Sequence, residues 1–173
     1  TNMYGMLSLT TSLSACNKRQ IEDSLGSSTA WPYTGWTQYQ CFEAFAKAML
    51  RAALSEWNDD ATAAADEYGP VGAWTILGDI WDFDSLLQGL ASFNEDLSGW
   101  DTSSVTKMGI SWVTGMFFRA SAFNKPLSFD TTSVNSMLGM FRDADSFDQP
   151  LTFDTSSVAY LAFMFYSADA FNR

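Results

Sequence analysis

Residues 123–146 read FNKPLSFDTTSVNSMLGMFRDADS, and residues 147–170 read FDQPLTFDTSSVAYLAFMFYSADA. The two segments agree at their Phe, Leu, Asp-Thr, Ser-Val, Met-Phe and Ala positions, and Phe123 and Phe147, which open them, are 24 residues apart. A fixed period of this length is typical of repeat proteins, in which each unit buries its apolar face against its neighbours. The sequence therefore predicts a stacked solenoid, an architecture that usually presents a binding surface.

Related segments precede and follow these two units. A longer unit with the same Phe-Asn opening comes before them. It is preceded by a unit that matches the pattern at only a few positions, which we call the worn unit. Phe171 and Asn172 open one more unit. We number the four units in chain order. The predicted division is a helical N-terminal cap region at residues 1–67 and a repeat solenoid at 68–173, with the first, worn unit at 68–92, the second at 93–122, the third at 123–146, the fourth at 147–170 and the start of a further unit at 171–173.

Each unit has two halves with different patterns. The first half, residues 127–134 in the third unit, is rich in Thr, Ser and Val, which favours a short strand. The second half places Met137, Met140, Phe141 and Ala144 at the spacing of one helix face. The predicted fold class is therefore α/β: a leucine-rich-repeat-like solenoid of 24–25-residue strand-plus-short-helix units with an α-helical N-terminal cap.

The segment before the repeats is predicted to form two helices. A capping box that begins at Thr37 precedes apolar residues at helical spacing, which predicts a first helix over residues 38–57. Asp60 is placed to cap a second helix over residues 61–68, and Gly69 is placed to end it. We expect these helices to cover the first open face of the solenoid.

Few side chains in this sequence suit catalysis or cofactor binding. The chain has no His, which removes the commonest general base and most zinc and haem ligation. Cys16 and Cys41 both precede the repeats, and they predict either one disulfide in an oxidising compartment or two buried thiols. No phosphate-binding loop and no Cys-x-x-Cys pair is present. We therefore expect no enzyme activity and no cofactor.

The second unit carries a five-residue insertion after Met108, bracketed by glycines. Insertions in repeat proteins often lie on the binding face. We therefore predict that Ile110, Trp112 and Val113 contact a partner, together with Phe171 at the start of the further unit. The alternatives for the insertion are a longer helix or a variant of internal packing. Because the last unit is unfinished, we also expect either that the chain continues or that a partner covers this end.

Asp101, Asp130 and Asp154 occupy the same position in three units. A parallel stack would bring them into a column, in which each carboxylate either bonds the backbone two residues on or shares a calcium ion with its neighbours. The turn is the favoured interpretation and calcium the alternative. A carboxylate that recurs in every unit also argues against catalysis, because an acid–base pair needs two unlike environments.

The repeated pattern, which reads Phe-Asn-x-Pro-Leu-Ser-Phe-Asp-Thr-x-Ser-Val in the third unit and is followed by Met-x-x-Met-Phe-x-x-Ala, resembles the BspA-like, mycoplasma-lipoprotein-type repeat of the DUF285 class. The resemblance spans residues 74–173, and residues 50–70 are similar to the lead-in of versions from marine microalgae. It implies a leucine-rich-repeat-like solenoid, commonly on cell surfaces in adhesion or protein binding, with no enzyme activity and no cofactor. The chain departs from the family pattern at the insertion and by lacking a Gly before Phe129 and Phe153. The family offers no binding residues to carry over.

The charge and the apolar content of the chain limit the classes of partner that it can bind. Acidic residues outnumber basic ones 20 to 9, a net charge of −11, which disfavours nucleic acid and bare anionic bilayers. No apolar run approaches the roughly 20 residues of a membrane span.

The leading hypothesis is a non-enzymatic protein-binding or scaffolding module of the cell-surface type. The alternative is a structural accessory subunit of a larger membrane-associated assembly in a microalga, such as a plastid photosynthetic complex, and an acid–base hydrolase is the remote third. A cell-surface, organelle-lumen or membrane-peripheral location is favoured over the free cytosol.

Overall fold

The structure, a computed structural model, describes residues 38–74, 76 and 80–172. Both helices and strands occur in this part of the chain, so the fold is a mixture of α and β structure. No helix within the described residues is long and apolar enough to cross a bilayer. Because Cys16 lies outside these residues, a disulfide to Cys41 and two separate thiols both stay predictions.

Two helices precede the repeats, as the sequence predicts. Helix α1 spans Gln38–Asp59 and helix α2 spans Ala61–Tyr68. Between them, the Asp60 carboxylate caps α2 by accepting hydrogen bonds from two backbone N–H groups of its first turn, at 3.1 and 3.0 Å. Gly69 ends α2 with a φ of 71°, a left-handed conformation that glycine adopts without strain. A single 3-10 turn, Val71–Ala73, then leads into the first unit.

A parallel β-ladder joins the units side by side. Strand β1 (Lys107–Ile110) of the second unit pairs in parallel with strand β2 (Ser136–Leu138) of the third. Single bridges extend this ladder in both directions, from β1 to Asp82 in the first unit and from β2 to Tyr160 in the fourth. Equivalent residues of four successive units therefore lie beside one another in chain order.

A second set of backbone hydrogen bonds joins the units beyond the strands. The N–H groups of Phe141 and Asp143 donate to the carbonyl groups of Met164 and Tyr166 in the fourth unit, at 2.8 and 2.9 Å. The same bonds recur between the earlier units, from Leu87 to Met116, Gly89 to Phe118, Phe117 to Met140 and Arg119 to Arg142. At these positions each unit offers N–H groups to the following unit, on a side that we call its donor edge, although other bonds run the opposite way, from Ser146 to Ser121 and from Ala159 to Asn135. At the same positions each unit offers carbonyl groups to the preceding unit, on a side that we call its acceptor edge.

The predicted short helix in the second half of each unit is wrong. The four residues with helical spacing do share a buried face: they are Met137, Met140, Phe141 and Ala144. They lie on β2 and a run of turns, however, and residues 80–172 contain no α-helix. Gly139 and Asp143 have φ angles of 67° and 55°, and a right-handed helix cannot continue through left-handed residues. The bonds to the next unit replace the bonds that a helix would make within itself.

The predicted strand also falls in the wrong half of the unit. Residues 127–134 form no strand, and β2 begins only at Ser136. The Asp130 side chain accepts the N–H of Thr132, while the Thr131 hydroxyl donates to the carbonyl of Asp154 in the next unit. These side chains therefore take up the backbone groups that a strand ladder would need.

Two columns of phenylalanine rings run through the core. The first column contains the residues that open the units, with ring centroids 6.4, 6.0 and 6.0 Å apart: Phe93, Phe123, Phe147 and Phe171. The second column has spacings of 5.0 and 5.5 Å and contains Phe117, Phe141 and Phe165. The two columns also stack on each other, at 4.3, 4.1 and 3.9 Å. Large rings that pack in this way each bury a large apolar area.

Arg51 of α1 closes the acceptor edge of the first unit. Its Nη1 and Nη2 donate to the carbonyl groups of Leu86 and Gln88, both at 2.8 Å, and Nη1 also donates to the carbonyl of Ser85. In every later unit, the carbonyl groups equivalent to those of Leu86 and Gln88 accept N–H groups from the preceding unit. The two arms of one guanidinium therefore replace two backbone donors.

Further contacts hold α1 against the first unit. Lys47 forms an ion pair with Asp82 at 3.2 Å, and the Asn58 side chain accepts the N–H of Ser92 at 2.8 Å. Leu54 is fully buried in the same core as the phenylalanine columns. Partial burial lowers the pKa of Arg51 from its ordinary value, but the group remains a cation at neutral pH.

We predict that Arg51→Met lowers the free energy of unfolding by about 2 kcal/mol, because carbonyl groups bonded to a charged donor lose that donor. Urea unfolding followed by circular dichroism measures the change. Arg119→Met is the matched control: its side chain is 66% exposed, and we expect a loss within about 1 kcal/mol. Equal losses in the two variants would show that Arg51 does not close the edge.

We predict that Phe141→Ala lowers the free energy of unfolding by about 3–5 kcal/mol, because it removes a fully buried ring from the middle of a column. Phe163→Ala, at a ring that is 51% exposed, should cost about 1 kcal/mol or less. The same urea titration compares the two. A small effect of Phe141→Ala would contradict the stacked columns.

Candidate functional site

The insertion of the second unit forms a tight turn directly after β1. The N–H of Thr114 donates to the carbonyl of Ser111 at 3.2 Å, which closes the turn. At its base, the N–H of Met116 donates to the carbonyl of Met108 at 2.8 Å. The alternative of a longer helix is therefore wrong for this segment.

Three apolar side chains of the insertion project into solvent. Ile110 is 53% exposed, Trp112 is 56% exposed and Val113 is 41% exposed. They are the insertion residues that the sequence singles out for partner contact, and we call them the insertion surface. A single exposed apolar residue is ordinary, but apolar side chains that cluster on one turn are typical of interaction sites.

Neighbouring units fix this turn from both sides. In the first unit, the buried carboxylate of Asp84 accepts the N–H of Ile110 at 3.0 Å. In the third unit, Gly139 lies so close that a Cβ atom there would be 2.9 Å from the carbonyl oxygens of both Ser111 and Thr114. The close approach requires glycine, and the left-handed φ of Gly139 favours it. The insertion surface is therefore held in place rather than carried on a long loop.

Arg142 connects the insertion to the third and fourth units. Its Nη1 donates to the carbonyl of Trp112 at 2.6 Å. Its guanidinium carbon lies 5.0 Å from the Trp112 ring centroid, 4.8 Å from that of Tyr166 and 5.8 Å from that of Phe118. Cation–π contacts of this kind stabilise an exposed aromatic ring in one orientation. Arg142 and Tyr166 therefore support the insertion surface.

Neither Arg142 nor Tyr166 is predicted as a site residue from the sequence. The one available signal is that Arg142 stands where the other complete units have an aromatic residue, Phe118 or Tyr166. The reason for this exchange is clear only in the folded chain, where Arg142 of the third unit contacts Trp112 in the insertion of the second unit. Phe171, which the sequence does include, is half-buried and extends the first phenylalanine column. Its role in partner contact stays a prediction.

The aspartates of the repeated column all form turns with their own backbone. Asp101, Asp130 and Asp154 each accept the N–H two residues on, at 3.0, 3.0 and 2.8 Å. Hydroxyl groups of Ser103 and Thr132 donate to the first two carboxylates, both at 2.7 Å. This is the geometry of the turn interpretation. Within the described residues, no group of three acidic or Cys side chains is arranged to hold a metal ion, and the calcium alternative stays a prediction.

These hydrogen bonds change the pKa of the carboxyl groups in the column. Side-chain hydrogen bonds first and backbone hydrogen bonds second lower the pKa of all three carboxyl groups. For Asp130, the neighbouring carboxylates of Asp101 and Asp154 act in the opposite direction and raise the pKa, but the hydrogen bonds outweigh them. The column is therefore a row of ionised, fully exposed carboxylates at neutral pH.

The sequence profile of the family described as "Mycoplasma protein of unknown function, DUF285" matches residues 53–173, more than half of the chain. The chain belongs to this family. No curated protein and no solved structure matches it. The DUF285 match confirms the resemblance that the repeat pattern indicates. It begins inside α1, so the region assigned to DUF285 includes the part of the helix with Leu54, all four units, the insertion surface and the aspartate column.

We predict that Thr132→Val raises the pKa of Asp130 toward its ordinary value, because the hydroxyl of Thr132 makes the largest contribution to lowering it. A ¹³C NMR titration of the carboxyl groups between about pH 2 and pH 6 measures the change. Because the folded-state pKa is depressed, the carboxylate stabilises the fold above its unfolded-state pKa, and this stabilisation is lost as the pH falls through the folded-state value. Ser133→Ala, at an exposed hydroxyl beside the turn, is the control and should leave the pKa of Asp130 unchanged. An unchanged pKa in Thr132→Val would contradict the turn geometry.

Proposed function

We propose that the DUF285 units form a solenoid whose first face is covered by α1. The support is the contact of equivalent residues in every neighbouring pair of units, through the β-ladder, the edge hydrogen bonds and the phenylalanine columns. Such a stack has a core that is continuous from unit to unit and a surface that is free for binding.

We further propose that the protein is a non-enzymatic module that binds another protein through the insertion surface. The observation that carries this proposal is the exposure of Ile110, Trp112 and Val113 on a turn that Asp84 and Gly139 hold in place. A preformed turn loses little conformational entropy on binding, so more of the contact energy appears as affinity.

The chemistry of this surface fits a protein better than other partners. Trp and Arg are enriched among the residues that dominate protein–protein affinity, and Trp112 lies against Arg142 here. The net charge of −11 opposes contact with nucleic acid phosphates. A partner with apolar side chains at the centre would complement the insertion surface, and basic residues at its rim would suit the net negative charge of the chain.

The non-enzymatic character is part of the proposal. The chain contains no His, and the carboxylates that recur in the units are bonded to their own backbone. Two carboxylates with different environments in one cleft would be needed for acid–base hydrolysis.

A second candidate function is a structural accessory subunit of a larger assembly, docked through the fourth unit. Three large side chains that are exposed there favour it: Tyr160, Leu161 and Phe163. The two candidates place the contact at different surfaces, which makes them separable by mutation.

We predict that the double variant Ile110→Ser/Trp112→Ser loses the main protein partner while keeping its fold. Chemical cross-linking in cells that make the protein, followed by purification and mass spectrometry, identifies the partner of the unmodified chain. Binding of that purified partner to each variant is then measured by calorimetry. We expect at least a tenfold weaker affinity, about 1.4 kcal/mol, for the insertion variant.

The matched control is Tyr160→Ser/Leu161→Ser, which removes two exposed apolar side chains from the fourth unit instead. Circular dichroism and urea unfolding check that both double variants fold. Loss of affinity in the insertion variant alone supports the binding module. Loss in the fourth-unit variant alone overturns it in favour of the accessory subunit, and full affinity in both variants rejects both surfaces.

A further inference from the structure

An exposed basic side chain lies near the insertion surface, although the chain as a whole is acidic. The side chain of Arg119, in the second unit, is 66% exposed. Its Nε donates to the Asp143 carboxylate at 3.4 Å, which is long for a hydrogen bond. Within the described residues, neither Nη group of Arg119 has a hydrogen-bond acceptor. The end of this guanidinium is therefore available to an acceptor on another molecule.

Ring contacts connect Arg119 to the insertion surface. Its guanidinium lies 4.8 Å from the ring centroid of Phe118, and the guanidinium of Arg142 lies 5.8 Å from the same centroid. Arg142 in turn lies 5.0 Å from the ring centroid of Trp112. These contacts place the Trp112 ring and the Arg119 guanidinium no further apart than about five residues of an extended peptide can span. A single short segment of a partner can therefore reach both.

The charges beside the insertion leave Arg119 without full compensation. Asp143 Oδ2 lies 3.4 Å from the Nε of Arg119 and 3.8 Å from the Nε of Arg142, so one carboxylate faces two guanidinium groups. The Arg142 side chain is only 15% exposed, and it donates to the carbonyl of Trp112. The carboxylate of Asp84 is also near the insertion, but it is buried and already accepts two hydrogen bonds. The excess positive charge is therefore presented to solvent by Arg119.

The fold does not require arginine at this position. Arg119 has a left-handed φ of 59°, and Gly89 makes the equivalent turn in the first unit with a φ of 73°. Glycine adopts this conformation without strain, whereas a long side chain rarely does. The exposed ion pair with Asp143 stabilises the fold little. Strained residues are often retained where they have a function, which points to a contact made by the Arg119 side chain.

We propose that the partner segment on the insertion surface carries an Asp or Glu that pairs with Arg119. Its apolar side chain lies on Trp112, and its carboxylate accepts two parallel N–H bonds from the exposed guanidinium. The proposal rests on the proposed function, because it names the chemistry of the segment that binds the same surface. The net charge of −11 favours basic groups elsewhere on the partner, and this carboxylate is a local exception.

The first test selects peptides without knowledge of the natural partner. A phage-displayed library of random peptides of about 12 residues, long enough to span both side chains, is selected on the full chain. Peptides that also bind Ile110→Ser/Trp112→Ser are removed. We expect the remaining peptides to combine an aromatic or aliphatic residue with Asp or Glu within about five positions. Remaining peptides that lack acidic residues, or that are rich in Lys and Arg, would overturn the proposal.

Reversal of the charge separates a contact from a purely structural role of Arg119. The same selection on Arg119→Glu should replace the acidic preference of the peptides with a preference for Lys and Arg. Circular dichroism checks that this variant folds. If Arg119→Glu selects the same acidic peptides as the original chain, Arg119 does not pair with them and the proposal is wrong.

Arg119→Gly provides a second variant with less risk to the fold, because it introduces the residue that Gly89 supplies in the first unit. Calorimetry with one selected acidic peptide should show at least about fivefold weaker affinity in this variant. The affinity of the original chain should also fall as salt is added, and that of Arg119→Gly should change less. Lys125→Gln, which removes a charge that acts on Asp96, is the control and should keep the original affinity. Equal affinities of Arg119→Gly and the original chain would overturn the proposal.

The outcomes also distinguish this proposal from the proposed function. If peptides depend on Ile110 and Trp112 but not on Arg119, only the acidic contact fails and binding through the insertion surface stands. If no peptide remains after removal of those that bind Ile110→Ser/Trp112→Ser, the insertion surface does not bind peptide segments. The proposed function then fails, and the acidic contact fails with it.

Discussion

The backbone hydrogen bonds between equivalent positions of neighbouring units are the interaction on which the rest of this structure depends. They require a left-handed residue at one fixed position of each unit, occupied in turn by Gly89, Arg119, Asp143 and Ser167 with φ angles between 54° and 73°. Three of these are not glycine, and each such residue costs roughly 1–2 kcal/mol in this conformation. The strain is offset because the turn directs N–H groups toward the carbonyl groups of the next unit and places one phenylalanine ring on another. A unit on its own would keep the strain and lose both compensating contacts.

This dependence explains why the ends of the repeat region matter as much as its middle. At the first end, Arg51 supplies N–H donors from a side chain, in the planar arrangement that suits two neighbouring carbonyl groups. Side chains also bond the backbone of the insertion, on the lateral surface. Asp84 accepts a hydrogen bond from the N–H of Ile110, and Arg142 donates one to the carbonyl of Trp112. In each case a charged side chain bonds backbone groups at a place where the regular repeat begins or is interrupted.

The sequence predicts the DUF285 repeats, both helices and the Asp60 cap well, because these depend on spacing and local chemistry. It misplaces the strand and predicts a short helix where none forms. Met137, Met140, Phe141 and Ala144 have a helical spacing, but the same spacing arises when successive turns bury every third or fourth residue. Neither the left-handed conformation of Asp143 nor the support of Trp112 by Arg142 has a local signal, since both follow from contacts between units. The partial burial of Phe171 also has no local signal, because it follows from the contacts of its ring with those of Phe147 and Phe165.

The central claim, that equivalent residues of successive units lie directly against one another, is tested most directly by NMR distance measurements between phenylalanine rings. With selectively labelled rings, the stack predicts strong nuclear Overhauser effects from Phe117 to Phe141 and from Phe141 to Phe165, whose centroids are 5.0 and 5.5 Å apart. It predicts none between Phe117 and Phe165, because the ring of Phe141 separates them. Contacts confined to rings within one unit, or a direct contact between Phe117 and Phe165, would contradict the stack.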